Sequence, residues 1–263
     1  MKIGFCFLCK NDIHQLDMWL KFLENNYDKS NIYIHSYEKE KITQDFVRKY
    51  QIDQNIPTDW GDIYDVIKYI MKISKKNNDT KLILLSESTI PCKPFDYIYE
   101  YLTKDDYGYM RYTIQSDILN AWDLGTVKMQ EMRYINNCKQ ITNFKDNVDY
   151  SHWFYHETWI IYNQEMINLI LNDTHYYPYF KKAFVSDENY PGYLLSLYDK
   201  LNLCKNILTT HVNWHIKQTG VRNHPELYDK VNKDFCNMLQ TQRDLLFARK
   251  FTKTSNVSEY FKS

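Results

Sequence analysis

Polar side chains follow a buried strand in the first half of the chain. Residues 82–91 read LILLSESTIP, a run of Leu and Ile that ends at Ser86, Glu87 and Ser88 and turns at Pro91. A strand this apolar is buried, and open α/β sheets bind ligands in the crevice beyond the carboxyl ends of their strands. We therefore expect Ser86 and Glu87 to open onto a ligand-binding crevice.

Two carboxylates, Asp187 and Glu188, form a second group that could do chemistry. They follow Ser186, and this order is typical of a helix N-terminus, where a capping side chain and acidic first-turn residues are favourable. A carboxylate also acts as a general base when partial burial raises its pKa. Both interpretations stay open, and they are compatible if Asp187 caps the helix while Glu188 faces the crevice.

The composition limits the possible partners and the cellular location. The chain has 263 residues, 44% of them hydrophobic and 25% charged, and Lys plus Arg and Asp plus Glu both number 33. Balanced charge gives no support for binding nucleic acid or an anionic membrane. The opening MKIGFCFLCK is too short and too strand-like for a signal peptide, so none is expected, and no later apolar run approaches the roughly 20 residues of a membrane span. We expect a cytoplasmic protein, with recruitment to a membrane not excluded.

Strands and helices alternate along the first hundred residues. Strands are predicted at 2–9, 32–35 and 82–86, and helices at 15–26 and 62–74. This alternation predicts a parallel sheet flanked by helices. Beyond residue 100 we expect short aromatic strands near 107–113 and 157–162, helices near 163–171 and 188–199, and a helical tail over 225–247. The six Cys show no disulfide or metal-binding pattern, and no dinucleotide-binding or Walker motif occurs.

Segments spread over nearly the whole chain resemble the core-2/I-branching N-acetylglucosaminyltransferases of glycosyltransferase family 14, especially their plant-type relatives. In chain order they are FLCKNDIHQLDMWLKFLENNYDKSNIYIHS (7–36), Trp60-Gly61, LLSESTIPCKPFDYIYEYL (84–102), ETWIIYNQEMINLIL (157–171), SDENYPGYLL (186–195), HVNWH (211–215), His224-Pro225 and LFARKF (246–251). The resemblance implies a GT-A-like fold, with a Rossmann-type, mostly parallel sheet. A single domain is expected, with about 1–105 binding the nucleotide sugar and about 106–263 binding the acceptor and carrying catalysis.

The reaction implied by this resemblance is inverting transfer of a sugar, foremost GlcNAc, from a UDP-sugar to a glycan or other hydroxyl acceptor. Glu188 matches the family's catalytic glutamate. Lys250 matches a diphosphate-binding cation, and Arg249 could assist it. The chain contains no Asp-x-Asp, so no metal and no cofactor are expected.

The remaining contacts follow from the same resemblance. Trp60 and Gly61 are expected near the donor, together with Ser86 and Glu87. The family's second phosphate-binding arginine is absent before HVNWH, and either Lys205 or Arg222 is a candidate substitute.

Acceptor contacts are expected from three residues, namely Trp159, Glu157 and Asp187. The family's small Gly-Ser pair is His156-Glu157 in this chain, which predicts a different acceptor pocket. Residues 113–156 resemble nothing in the family, and acceptor specificity is expected in such variable segments.

Two alternatives remain open. One is a catalytically inactive carbohydrate-binding protein of the same fold, suggested by the missing arginine and the altered Gly-Ser pair. The other is a transferase that uses a different donor, such as UDP-xylose or UDP-glucose. For the main interpretation the partners are a nucleotide-sugar donor and a glycan acceptor, with no nucleic acid and no integral membrane segment.

Overall fold

A computed structural model describes residues 1–114, 121–216 and 222–261, and it describes only the backbone of 121–124, 215–216 and 222–224. The strands are β1 (Lys2–Cys9), β2 (Ser30–Ser36), β3 (Asp79–Ser86), β4 (Ile90–Pro91), β5 (Gly108–Tyr109), β6 (Tyr112–Thr113), β7 (Tyr155–His156), β8 (Ile161–Asn163), β9 (Cys204–Lys205), β10 (Thr210–Val212), β11 (Trp214–Ile216), β12 (Arg222–Pro225) and β13 (Phe247–Arg249). The helices are α1 (Leu16–Leu23), α2 (Asp45–Lys49), α3 (Tyr64–Lys76), α4 (Phe95–Thr103), α5 (Ala121–Gln140), α6 (Phe144–Asn147), α7 (Gln164–Asn172), α8 (Tyr177–Phe180), α9 (Tyr190–Leu197) and α10 (Lys233–Thr241).

Six strands form the central sheet, in the order β2-β1-β3-β8-β5-β9. β1 and β2 are parallel, with Ile3 opposite Ser30 and Cys9 opposite Ser36. At the other edge, β5 is antiparallel to β8 and parallel to β9. This mixed α/β architecture, with a mostly parallel sheet flanked by helices, confirms the predicted fold class.

The chain forms two compact units that interleave along the sequence. The first unit contains Met1–Asp53, Ile83–Asp105 and Leu208–Ser263, and the second contains Gln54–Leu82 and Asp106–Ile207. The carboxyl-terminal segment thus belongs to the same unit as β1, whereas the expected boundary between the two halves of the chain lies near residue 105.

In the first unit, α1 buries its apolar face against β1. Its Trp19 ring lies 4.8 Å from the ring of Phe7 and 6.1 Å from that of Phe5, both in edge-to-face geometry. The indole Nε1 of Trp19 also donates to the carbonyl of Thr89 at 2.8 Å. The helix predicted at 15–26 therefore secures the turn that follows β3.

Two strands from the carboxyl-terminal part of the chain form a small sheet with β4 in the first unit. The order of this sheet is β10-β13-β4, with β13 parallel to β10 and antiparallel to β4, so that Ala248 lies opposite Ile90. The predicted helix over 225–247 is wrong except for α10. Leu246, Phe247 and Ala248 are all fully buried, and a continuous apolar run buried on both faces favours a strand over an amphipathic helix.

In the second unit, α7 packs against α3 and α9. The Asn163 side chain accepts a hydrogen bond from the Met166 N–H at 2.8 Å, which caps the start of α7. An aromatic cluster fills the core beside α9, and its members are Phe144, Trp153, Phe180, Tyr190 and Tyr193. In the part of the chain that the structure describes, no helix has both the length and the apolar character needed to cross a bilayer.

Candidate active site

The carboxylates Asp187 and Glu188 lie in a separate helical turn, Ser186–Glu188, just before α9. Neither caps α9, because that helix begins at Tyr190 and is preceded by Asn189. The Ser186 hydroxyl instead donates to the carbonyl of Gly61 at 3.2 Å. The helix-cap interpretation of Asp187 is therefore wrong, and the turn is held by contacts distant in sequence.

Glu188 forms an ion pair with Arg133 of α5. Arg133 Nη1 lies 2.6 Å from Glu188 Oε2, and the two side chains are only 14% and 15% exposed. A charge-assisted hydrogen bond in such a shielded position is stronger than a surface ion pair. Arg133 is not among the residues predicted from the sequence. It lies in the segment 113–156, in which no family motif was recognised, and no spacing pattern connects two residues that are 55 positions apart.

Asp187 is more deeply buried than its neighbour. Its Oδ2 accepts a hydrogen bond from the Thr158 hydroxyl at 3.2 Å, and its buried Oδ1 has no hydrogen-bond partner. Burial, reinforced by the charge of Glu188, raises the pKa of Asp187 to about 7, although Thr158 and Arg133 oppose the shift. Asp187 thus titrates near neutral pH.

The contact with Thr158 brings the predicted acceptor residues together. Glu157 and Trp159 flank Thr158 in sequence, and both are partly buried. The Glu157 N–H donates to the carbonyl of Arg111 at 2.8 Å, which fixes the backbone of this segment. Asp187, Glu157 and Trp159 therefore occupy one neighbourhood of the second unit.

His156, which was expected to alter the acceptor pocket, is fully buried. Its Nδ1 lies 3.0 Å from the Glu157 carbonyl, and burial lowers the pKa of the imidazole to about 4. At neutral pH His156 is an uncharged packing residue.

Trp60 and Gly61 lie beside the same turn of the second unit. Gly61 has φ of +79°, and a Cβ at this position would come within 2.9 Å of the Val185 Cα. Only glycine combines this conformation with such a close approach. The Trp60 ring is 70% exposed and lies 5.5 Å from the ring of Phe184, a residue that sequence reasoning did not single out.

In the first unit, a hydrogen bond connects the side chains of Ser86 and Arg249. Arg249 Nε donates to Ser86 Oγ at 3.1 Å, and the same hydroxyl lies 3.1 Å from Ser88 Oγ and 2.9 Å from Thr89 Oγ1. Ser86 is only 4% exposed, so the expectation that it opens onto a crevice is wrong. Its hydroxyl is used to hold the end of β3 against β13, and Glu87 remains partly exposed.

Lys250 follows Arg249 at the end of β13. It is partly buried, and burial together with the neighbouring Arg249 lowers the pKa of its ammonium group, while Glu87 opposes the shift. The carbonyl of Lys250 accepts a hydrogen bond from the Tyr228 N–H at 2.8 Å. The structure thus gathers Ser86, Glu87, Arg249 and Lys250 into one cluster, in which two cations can neutralise phosphate oxygens.

Lys205 and Arg222, the two candidates for a second phosphate contact, belong to different units. Lys205 lies on β9, and its ammonium is 4.6 Å from the Tyr107 ring and 5.7 Å from the Tyr109 ring. Arg222 begins β12 in the first unit, which also contains Lys250, and its side chain lies outside the described residues. Both remain predictions.

Among the side chains that the structure describes, no three His, Cys, Asp or Glu groups are close enough together to hold a metal ion.

The chain matches the sequence profile of one protein family. The sequence profile described as Core-2/I-Branching enzyme matches residues 3–241, nearly the whole chain. The matched region contains Trp60, Gly61, Asp187 and Glu188, and it ends before Arg249 and Lys250. No curated protein is significantly similar to the chain.

Proposed function

Since the chain belongs to the Core-2/I-Branching enzyme family, whose members are glycosyltransferases, we propose that it transfers a sugar with inversion and without a metal ion. The proposed donor is a UDP-sugar, with UDP-GlcNAc first among the candidates, and the proposed acceptor is a glycan hydroxyl. In this reaction the acceptor oxygen bonds to the anomeric carbon on one face while the bond to the diphosphate breaks on the other.

The observation that carries this proposal is the shielded carboxylate of Glu188. Arg133 contacts Oε2, so Oε1 is the oxygen that we assign to accept the proton of the attacking hydroxyl. Arg133 holds the carboxylate in one orientation, which favours proton transfer because the geometry is set before the acceptor arrives.

Positive charge for the departing diphosphate is assigned to Lys250, with Arg249 beside it. Developing negative charge on a leaving phosphate is stabilised by cations fixed in advance. Arg249 is fixed by its hydrogen bond to Ser86. Many enzymes of GT-A fold hold the diphosphate through a metal bound to Asp-x-Asp, and this chain has no such motif. Basic side chains are proposed to take that role.

The test is transfer measured in EDTA with purified wild-type protein and the Glu188→Gln variant. UDP-GlcNAc, UDP-glucose and UDP-xylose are screened as donors. We expect wild-type transfer to persist in EDTA and the Gln variant to lose about 10²- to 10⁴-fold in rate while it binds UDP like wild type. Glu165→Gln, which changes an exposed carboxylate of the same unit, serves as the control. Metal dependence, or an active Glu188→Gln enzyme, would contradict the proposal.

The absent arginine before HVNWH favours a second candidate, an inactive carbohydrate-binding protein of the same fold. UDP binding separates the two functions. A transferase binds UDP at micromolar to millimolar concentration, and its affinity falls when Lys250 is changed to Gln but not when the exposed Lys253 is changed. A protein that binds glycans without any affinity for UDP would establish the second candidate.

A further inference from the structure

Two large aromatic side chains of the second unit are exposed side by side. Trp60 is 70% exposed and Phe184 is 56% exposed, and their ring centroids lie 5.5 Å apart with an angle of 55° between the ring planes. Scattered exposed aromatics need no explanation, but a contiguous pair is typical of a binding surface. The tilted rings form an open apolar corner that faces solvent.

The backbone beneath this pair is fixed. Phe184 N–H donates to the Asn137 side chain at 3.2 Å, and the Ser186 hydroxyl donates to the carbonyl of Gly61 at 3.2 Å. Between them Val185 has φ of 55°, a left-handed conformation that is strained for a β-branched residue. Such strain is maintained only where the surrounding contacts impose it, and it clusters at functional sites.

The pair also adjoins the candidate base. The guanidinium carbon of Arg133 is 6.0 Å from the Phe184 ring centroid, and Nη1 of the same residue is 2.6 Å from Glu188 Oε2. Phe184 and Glu188 therefore flank one guanidinium group. A molecule stacked on the aromatic pair would present its rim toward a carboxylate and a cation.

We propose that Trp60 and Phe184 are the stacking platform for the pyranose ring of the acceptor, whose hydroxyl is directed to Glu188. The aliphatic face of a pyranose stacks on aromatic rings, while its hydroxyls bond to polar groups at the rim. This inference rests on the proposed function, since Glu188 acts on the acceptor. It gives Trp60 a role in the acceptor site in place of the donor contact expected from the sequence.

Binding of simple methyl glycosides tests the platform without any turnover. Methyl β-glycosides of galactose, glucose and N-acetylglucosamine are titrated into the purified protein and followed by ligand-observed NMR. Phe184→Leu and Trp60→Leu keep an apolar side chain and remove the aromatic face, whereas Phe184→Tyr and Trp60→Phe retain a face. Tyr37→Ala removes an equally exposed ring in the other unit and is the matched control.

At least one glycoside is expected to bind, and each Leu variant is expected to weaken that binding about tenfold, a difference of about 1.4 kcal/mol. Phe184→Tyr, Trp60→Phe and Tyr37→Ala should bind like wild type. The platform is overturned if no glycoside binds, if the Leu variants bind like wild type, or if they change only the oligomeric state in sedimentation. If the wild-type protein binds a glycoside on this platform but transfers no sugar from any of the UDP-sugars, the proposed function is rejected and the platform is kept.

Discussion

Arg133 Nη1 lies 2.6 Å from Glu188 Oε2, and both side chains are mostly buried. This ion pair joins α5 to the turn that carries the candidate base. Because little water reaches the pair, removing either side chain would leave the charge of the other buried without a partner, which is destabilising.

Removing Arg133 should therefore affect both folding and activity. In Arg133→Met the Glu188 carboxylate is left without its partner, so we expect the free energy of unfolding to fall by about 1–3 kcal/mol. Transfer should fall about 10- to 100-fold, since the base is no longer held in one orientation. Arg133→Lys should lie between, because an ammonium lacks the planar fork of guanidinium. Urea denaturation and steady-state kinetics measure the two effects.

The control for this variant is Lys181→Met, which removes the partner of Asp65 from a more exposed ion pair in the same unit. Its cost should stay below about 1 kcal/mol. Equal losses from the two variants would show that the Arg133–Glu188 pair is an ordinary surface contact.

The raised pKa of Asp187 predicts that this residue makes the folded state less stable as the pH rises. The pKa of its carboxyl group is raised from 3.8 to about 7, so the folded state binds this proton more tightly than the unfolded chain does. The stability that the protonated Asp187 contributes is fully present below the pKa of the unfolded state, and it is lost as the pH rises through the pKa of the folded state. Asp187→Asn cannot ionise, so its advantage over wild type should grow between about pH 4 and pH 7, to on the order of 3–4 kcal/mol at most.

Asp65→Asn should change stability with pH in the opposite direction to Asp187→Asn, because the pKa of Asp65 is lowered in the folded protein. Burial raises the pKa of Asp65, but hydrogen bonds from Lys181 and Tyr177 outweigh it and lower the pKa overall. This variant should lose stability at neutral pH relative to wild type, and the difference should vanish in acid. Unfolding free energies measured as a function of pH test the predictions for Asp187 and for Asp65. If the free energies of Asp187→Asn and wild type change in parallel with pH, the raised pKa of Asp187 is refuted.

Substitution by alanine should have opposite effects on stability at Gly61 and at Gly125. Gly61→Ala introduces a Cβ 2.9 Å from the Val185 backbone at a positive φ, so we expect a loss of more than about 1 kcal/mol and weaker glycoside binding. Gly125 lies within α5, and nothing lies within 4 Å of an added Cβ. Gly125→Ala should stabilise the protein by up to about 1 kcal/mol. Thermal unfolding gives both values, and a neutral Gly61→Ala would show that the close approach is not needed.

The hydrogen bond between Arg249 and Ser86 predicts a further stability effect. In Ser86→Ala the buried Arg249 Nε loses its acceptor, so the free energy of unfolding should fall by about 1–3 kcal/mol and UDP affinity should fall with it. Ser74→Ala removes a buried hydroxyl that has no hydrogen-bond partner, and it should be close to neutral. Denaturation and UDP titration compare the two variants, and identical behaviour would rule out the anchoring role of Ser86.

The amino-acid sequence by itself determined the elements of the first half and the family. The strand predicted at 2–9 is β1, and the helix predicted at 62–74 is α3, because these elements are set by local apolar periodicity. The same local pattern failed in the tail. Whether residues 247–249 form a helix or a strand depends on partners at 90–91 and 210–212, which no short window of the sequence contains.

Only the tertiary structure decided how the candidate site is assembled. Arg133 meets Glu188 across 55 residues, and Arg249 meets Ser86 across 163. The burial of Ser86 and the exposure of Phe184 reverse what their residue types suggest. Side-chain burial and pairing depend on the packing of distant segments, whereas periodicity reports only which face of one element is apolar.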